Sequence, residues 1–321
     1  MTARGNLGDP LRRGAVGLMA AVLIGALVAQ YVHRGLDFYN STGLLAAVCL
    51  IVVAGAAVAM GALARFDHWA ARLAVPLLFG LLLLWAWEVA VVGFQVPRVL
   101  LPAPSQIGRV LAERWDTLAL DFHQTFIRSV IPGYVMGCGA GFLTAIAIDR
   151  SPFLQRGLLP LGSLVSAMPI VGIAPIMVMW FGFDWQSKAA VIVVMTFFPM
   201  LVNTLAGLQA AGSMERDLMH SYAASYPQTL TKLRLPGALP FVFNALKLNS
   251  TLALIGGIVA EFFGTPIQGM GFRISTEVAR MNVDVVWATI AVAAVAGSAF
   301  FGALAAVERG LTFWHPSFRR G

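Results

Sequence analysis

The feature that most constrains this chain is the recurrence of apolar runs about twenty residues long, the length a helix needs to cross a bilayer. TGLLAAVCLIVVAGAAVAMGAL (42–63) and ATIAVAAVAGSAFFGALAAV (288–307) are two of them. Inside hydrocarbon every backbone N–H and C=O must find a partner within the protein, so only helices and closed barrels cross. Barrel strands alternate in polarity over about 10 residues, and these runs are continuously apolar. The chain is therefore expected to be an all-α polytopic membrane protein. Composition agrees: 59% of residues are hydrophobic and 12% charged, about half the charged share of a soluble domain.

The net charge of +7, from 22 Lys+Arg against 15 Asp+Glu, does not argue for nucleic acid. No basic cluster is interleaved with aromatics, and the basic residues fall in loops, where they set topology. Cys49 and Cys138 both lie in apolar segments, without metal-ligand spacing or a disulfide framework. Eight spans are expected, at about 14–32, 42–64, 74–95, 123–148, 157–181, 187–208, 238–262 and 284–307. The fifth is interrupted by Pro160, Pro169 and Pro175. With the N-terminus inside, thirteen Lys/Arg fall on the cytoplasmic side and seven outside, which favours both termini in the cytoplasm. The first run follows Arg4, Arg12 and Arg13 and is read as a retained helix, since it is long for a signal peptide.

Residues 1–72, with two spans almost free of internal polar groups, look like an N-terminal extension; 73–321, with six spans, is the expected working core. No internal repeat is evident, which counts against a secondary transporter built of repeated halves.

Between the sixth and seventh spans lies DLMHSYAASYPQTLTKLRLP (217–236), charged, tyrosine-bearing and split by proline. A helix over Asp217–Tyr226 would place Leu218, Met219, Tyr222, Ala223 and Tyr226 on one face. Asp217 would sit in its first turn, where it complements the helix dipole. Pro227 would open a second short helix, and Leu235–Pro236 would turn the chain back into the membrane. Two partners fit the greasy face: lipid headgroups, or a groove on a soluble protein. Trp and Phe are absent from it, and small Ala223 lies between two tyrosines, which suits a socket better than a lipid anchor.

These residues resemble the EAA loop of binding-protein-dependent ABC importer permeases, whose pattern is Glu-Ala-Ala, three residues, Gly, nine residues, Ile-x-Leu-Pro. Asp217 stands at the Glu, Leu218 and Met219 at the alanines, Ala223 at the Gly, Leu233 at the Ile, and Leu235–Pro236 at the Leu-Pro. LLLLWAWEVAVVGF (81–94), LLPAPSQIGRVL (100–111), TFIRSVIPGYVMGCGAGFLTAIAIDRS (125–151), AMPIVGIAPIMVMWFGFDWQSK (167–188), FFPMLVNTLAGL (197–208) and NALKLNSTLALIGGIVAEFFGTPIQGMGF (244–272) are similar to the nitrate, sulfonate and taurine subfamily. The resemblance covers roughly 74–316 and implies a type I importer core of six helices, with a coupling loop at about 215–236. It also implies a bacterial inner-membrane protein and a second permease copy, read as a homodimer. Two cytoplasmic ABC ATPase subunits, an extracytoplasmic solute-binding protein and surrounding lipid complete the assembly. The expected cargo is a small anion such as nitrate, a sulfonate or taurine; a thiamine-precursor pyrimidine or another small aromatic compound is the alternative. ATP and Mg belong to the partner subunit and no cofactor to this chain, which has no G-x-x-x-x-G-K-[ST] motif of its own.

Ionisable groups within spans mark function or pair structurally. Lys247 and Glu261 are candidates for the translocation path, with Asn203 and Asn249, and Met168, Pro169 and Pro175 for a gate. Interhelical hydrogen bonding and packing kinks account for the same residues. Glu88 and Arg128 are read chiefly as structural. An enzyme is not expected: no H-E-x-x-H, nucleophile elbow or paired-aspartate metal motif occurs. A secondary transporter without an ATPase partner is the rival from another class.

Overall fold

The computed structural model describes Gly25 and residues 42–64, 69–166, 168–264 and 267–313. The expected first span lies outside these apart from Gly25. The described residues form α1 (Thr42–Leu63), α2 (Trp69–Gly93), α3 (Pro104–Glu113), α4 (Trp115–Ile148), α5 (Pro152–Ser166) and α6 (Ile170–Phe181). They continue with α7 (Trp185–Gln209), α8 (Ser213–Ser221), α9 (Tyr226–Glu261), α10 (Met270–Ala279) and α11 (Val283–Leu311). No strand occurs among them. Five helices, within α2 and as α4, α7, α9 and α11, are long and apolar enough to cross a membrane, and Cys49–Val58 and Ile170–Phe181 are shorter apolar helices. The all-α polytopic expectation holds.

The span expected at 157–181 is two helices. At Pro169 the backbone is extended (φ −67°, ψ 125°), and a residue preceding proline is itself pushed out of the α region. At 15 and 12 residues, α5 and α6 reach only about 22 and 18 Å. Neither crosses a hydrocarbon core of about 30 Å unaided. Pro160 and Pro175, by contrast, lie inside α5 and α6 without ending them.

Two other prolines leave a different trace. In α4 the turns His123–Val130 are π-helical, and the Ile131 N–H bonds Phe126 O five residues back, just ahead of Pro132. In α9 the same happens over Leu230–Arg234, with the Leu235 N–H on Leu230 O ahead of Pro236. Proline lacks an N–H and its ring crowds the carbonyl four residues back; a widened turn relieves both and lets the helix continue.

The chain divides into two compact units, residues 1–113 with 281–287, and residues 114–280 with 288–321. In the first, the Glu88 carboxylate of α2 accepts from the Ser105 N–H (2.9 Å) and hydroxyl (2.7 Å), capping the start of α3. Trp87 meets Trp287 edge-on at 4.9 Å. In the second unit, Arg128 donates to Gln124 one turn away.

The second unit is organised around α7. Gly133, Gly137 and Gly141 of α4 lie directly on it: a Cβ at Gly133 would come within 2.8 Å of the Ile192 Cβ, and one at Gly137 within 3.0 Å of the Val193 Cα. On the other side Gly207 of α7 admits Ala238 and Phe241 of α9, and Gly256 and Gly257 of α9 admit Met195 and Val130. Lipid is as apolar as leucine, so helices in a bilayer associate through close van der Waals packing, which small residues permit. Phe126, Tyr134 and Phe300 complete this core as edge-on pairs at 5.6 and 4.9 Å. Half of the apolar window of α7 and of α9 is buried, against 6% for α11. The first two are therefore interior, and α11 presents its surface outward.

Candidate functional site

The segment between α7 and α9 is not folded as expected. Its helix, α8, starts at Ser213 and ends at Ser221, so Glu215, not Asp217, occupies the first turn. Ala223 stands at φ +52°. Its N–H bonds His220 O (2.9 Å) and the Ala224 N–H bonds Met219 O (3.0 Å), the pairing of a Schellman cap with a left-handed residue after the helix. This is the position where the EAA pattern has glycine, the residue that takes positive φ without a Cβ clash. Ala223→Gly is expected to stabilise the turn by about 0.5 kcal/mol, and Ala223→Val to weaken it by about 1 kcal/mol or more. Amide exchange at Ala224 should slow in the first and quicken in the second.

Ser225 then caps a new helix in a capping box with Gln228, and Pro227 falls in its first turn. That helix is not short. It is the start of α9 and runs on to Glu261. Leu235 and Pro236 are half-buried within it and turn nothing back, because the widened turn absorbs the proline. Leu233 is half-buried in the widened turn itself.

The proposed face is accordingly divided. On α8 and its C-cap, Met214, Leu218 and Tyr222 recur every four residues and are 83%, 57% and 78% exposed. Asp217 is exposed on the same helix and Met219 half-buried. Met214 is not among the expected residues; its period matches, but the helix begins four residues before Asp217. Tyr226 belongs elsewhere. Its hydroxyl donates to Asp149 Oδ2 (2.9 Å), and the Arg150 guanidinium lies 4.5 Å from its ring centre. Asp149 also takes two hydrogen bonds from Arg234, at 2.6 and 2.7 Å. Nothing local in the sequence marks Asp149, which is 77 residues from Tyr226.

A second polar cluster surrounds the far end of α9. Glu261, 2% exposed, accepts from the Thr125 hydroxyl (2.8 Å) and the Gly271 N–H (2.7 Å). The Met270 N–H bonds Thr125 Oγ1, and the Gly269 N–H bonds Asp121. Asp121 also pairs with Arg273 at 2.7 Å. These bonds occupy the amides that open α10, which otherwise have no partner inside the helix. Three arginines, Arg114, Arg273 and Arg280, lie 3.6 to 4.0 Å from the buried Glu277. Lys188 is fully buried and donates to Phe183 O and Asp184 O beyond the end of α6.

The remaining path candidates do not converge. Lys247 pairs with Glu308 of α11 at 2.7 Å. Asn203 donates back to Pro199 O in its own helix. Buried Asn249 donates to Thr196 O and Cys138 Sγ, while its Oδ1 has no hydrogen-bond partner among the described residues. Met168, 53% exposed at the α5–α6 break, lines an apolar cavity of about 140 Å³ with Val165, Ile173, Met195, Pro199 and Leu252. Pro169 and Pro175, like the other path candidates, lie outside its lining.

Residues 137–313 match the family described as binding-protein-dependent transport system inner membrane component. The chain is 29% identical over 239 residues to the formylaminopyrimidine transport permease protein of Halalkalibacterium halodurans, covering 74% of this chain and 95% of that one. It is 29% identical over 254 residues to the taurine transport system permease protein of Escherichia coli, covering 76% and 90%. Against the riboflavin transport system permease protein of Chloroflexus aurantiacus, identity is 25% over 256 residues, covering 79% and 94%.

Proposed function

Because the chain belongs to the binding-protein-dependent inner membrane components of ABC transporters, we propose that its short helix α8 is the docking element for a cytoplasmic ATPase that drives solute import. The observation that carries this is the stripe Met214, Leu218 and Tyr222, exposed along a helix of nine residues and its C-cap. At about 13 Å such a helix cannot cross a bilayer, and its apolar face suits the helix-in-groove mode of recognition.

The rest of the assembly follows. ATP and Mg are bound by the partner, not by this chain. Two copies of the permease, read as a homodimer, line the path, and closure of the ATPases rocks them between inward- and outward-facing states. Residues 73–321 form the working core and 1–72 an accessory extension. The Lys/Arg distribution puts α8 and both termini on the cytoplasmic side of the bacterial inner membrane. An extracytoplasmic binding protein delivers the cargo to the opposite face. The break at Met168–Pro169 and the apolar cavity beside it support a gate there. A small anion such as nitrate, or a sulfonate such as taurine, is favoured as cargo by the sulfonate and taurine relatives. The pairing of Lys247 with Glu308 removes the free intramembrane cation that would have supported an anion independently. The pyrimidine relative and the apolar lining keep a small heteroaromatic compound as the second reading.

The test is co-purification of the ATPase encoded with this permease. Leu218→Asp and Tyr222→Asp are each expected to lower its recovery at least tenfold, the scale of losing one buried anchor of about 2 kcal/mol, while membrane insertion is unchanged. Normal recovery in both variants would remove α8 as the docking element. No ATPase with the unmodified chain would favour a secondary transporter.

A further inference from the structure

The cluster where α4, α7 and the start of α9 meet is built like a joint. Asp149 is the C-cap of α4, where an acidic side chain opposes the negative end of the helix dipole. It is also buried, with its side chain 2% exposed. An unpaired carboxylate there is doubly unfavourable, so its presence calls for a cation held in place.

Arg234 supplies it and does more. Its Nη1 and Nη2 donate to the two Asp149 oxygens, and its Nε donates to Leu208 O in the last turn of α7 (2.8 Å). One guanidinium on α9 thus joins the C-terminal ends of α4 and α7. Its planar fork presents these donors in a fixed geometry that a lysine ammonium does not reproduce. Arg234 is the last residue of the widened turn Leu230–Arg234. Tyr226, the first residue of α9, bonds the same carboxylate, so both ends of the first two turns are held.

On the other side of this clamp the chain is loosely attached. Residues 222–225 contain the left-handed Ala223 and lead to α8, none of whose residues is buried. The two interior helices and α4 therefore form one body, which α8 joins through residues 210–212 after α7 and through residues 222–225 before Tyr226, and the clamp fixes both attachments, since Arg234 holds Leu208 at the end of α7 and Tyr226 opens α9.

We infer that Arg234, with Asp149 and Tyr226, is the positioning group that carries load from α8 into the three packed helices α4, α7 and α9. This rests on α8 being the docking element. Without the clamp, α8 would still bind its partner, but binding would no longer be felt by the bundle.

The experiment measures how far bound ATPase raises the thermal midpoint of the permease in nanodiscs, together with its affinity. Saturating ATPase should raise the midpoint of the unmodified chain by about 5 °C. In Arg234→Lys that rise should fall below about 1 °C, with affinity within threefold of the parent's. Tyr226→Phe removes one hydrogen bond and keeps the ring under Arg150; it should lose part of the rise and guards against a folding defect in the lysine variant. A merely structural role would lower the starting midpoint of each variant and leave the rise intact, and that outcome overturns the inference. So does an unmodified chain that binds ATPase with no rise. Loss of binding itself in Arg234→Lys would overturn it too, making Arg234 part of the docking surface. Failure of the unmodified chain to bind any ATPase would instead strike the docking assignment of α8.

Discussion

Gly137→Leu is expected to prevent α4 from packing on α7, and with it the assembly of the second unit. A Cβ at this position would overlap Thr196 Oγ1 and lie 3.0 Å from the Val193 Cα. The backbone of an interior helix cannot swing aside as a flexible side-chain end can, so the helices must separate. Overpacking by extra methylenes costs about 1–3 kcal/mol when side chains absorb it; here the cost should reach about 3 kcal/mol or more. That is a large share of the about 5–15 kcal/mol by which a protein is stable. Gly139, two residues on, supplies the control, because a Cβ there would meet nothing within 4 Å. Gly139→Leu should be neutral or slightly stabilising, since leucine is the better helix former. Unfolding midpoints of the two variants in detergent, set against the parent, check the pair. Equal midpoints would mean that the α4–α7 contact is not what holds this unit together.

Glu261→Leu is the second large effect. The substitution keeps the volume roughly constant but leaves the Gly271 N–H and the Thr125 hydroxyl without their carboxylate partner. Each buried group stranded in this way costs about 1–3 kcal/mol, so about 3 kcal/mol is expected in total. The loss should appear as local release of α10 before global unfolding. Amide exchange at Met270 and Gly271 should accelerate about a hundredfold, since about 1.4 kcal/mol is tenfold at 25 °C. Glu261→Gln retains one acceptor oxygen and should accelerate it tenfold or less. Unchanged exchange in Glu261→Leu would show that the Asp121 and Thr125 bonds alone dock α10.

The two predictions concern residues whose roles were unequally visible in the sequence. The apolar runs predicted the long helices directly, because a bilayer sets their length and the helix bonds its own backbone. Glu261 stood out because an ionisable residue beside a span is costly. Its partners did not: Thr125 is 136 residues away in the chain. Gly137 was part of a motif resemblance, yet only the approach of α7 gave that glycine a physical reason. The segment 217–236 departs from the geometry that its sequence suggests. A period of three and four runs straight through Ala223, whereas the backbone reverses hand there.

The sequence by itself determined that this chain is a bundle of membrane helices, where most of them lie, and that a polar, amphipathic stretch follows the helix ending at Gln209. Those are consequences of local composition, since burial in lipid acts on each segment separately. Only the tertiary structure decided that Pro236 is carried inside a helix, that Pro169 breaks one, and that Lys247 pairs with Glu308. It alone joined Asp149 to Arg234, 85 residues apart. Whether a proline bends, widens or ends a helix depends on what the neighbouring helices offer the freed carbonyls. Which charges pair depends on where helix ends meet, and neither is encoded within any one stretch of chain.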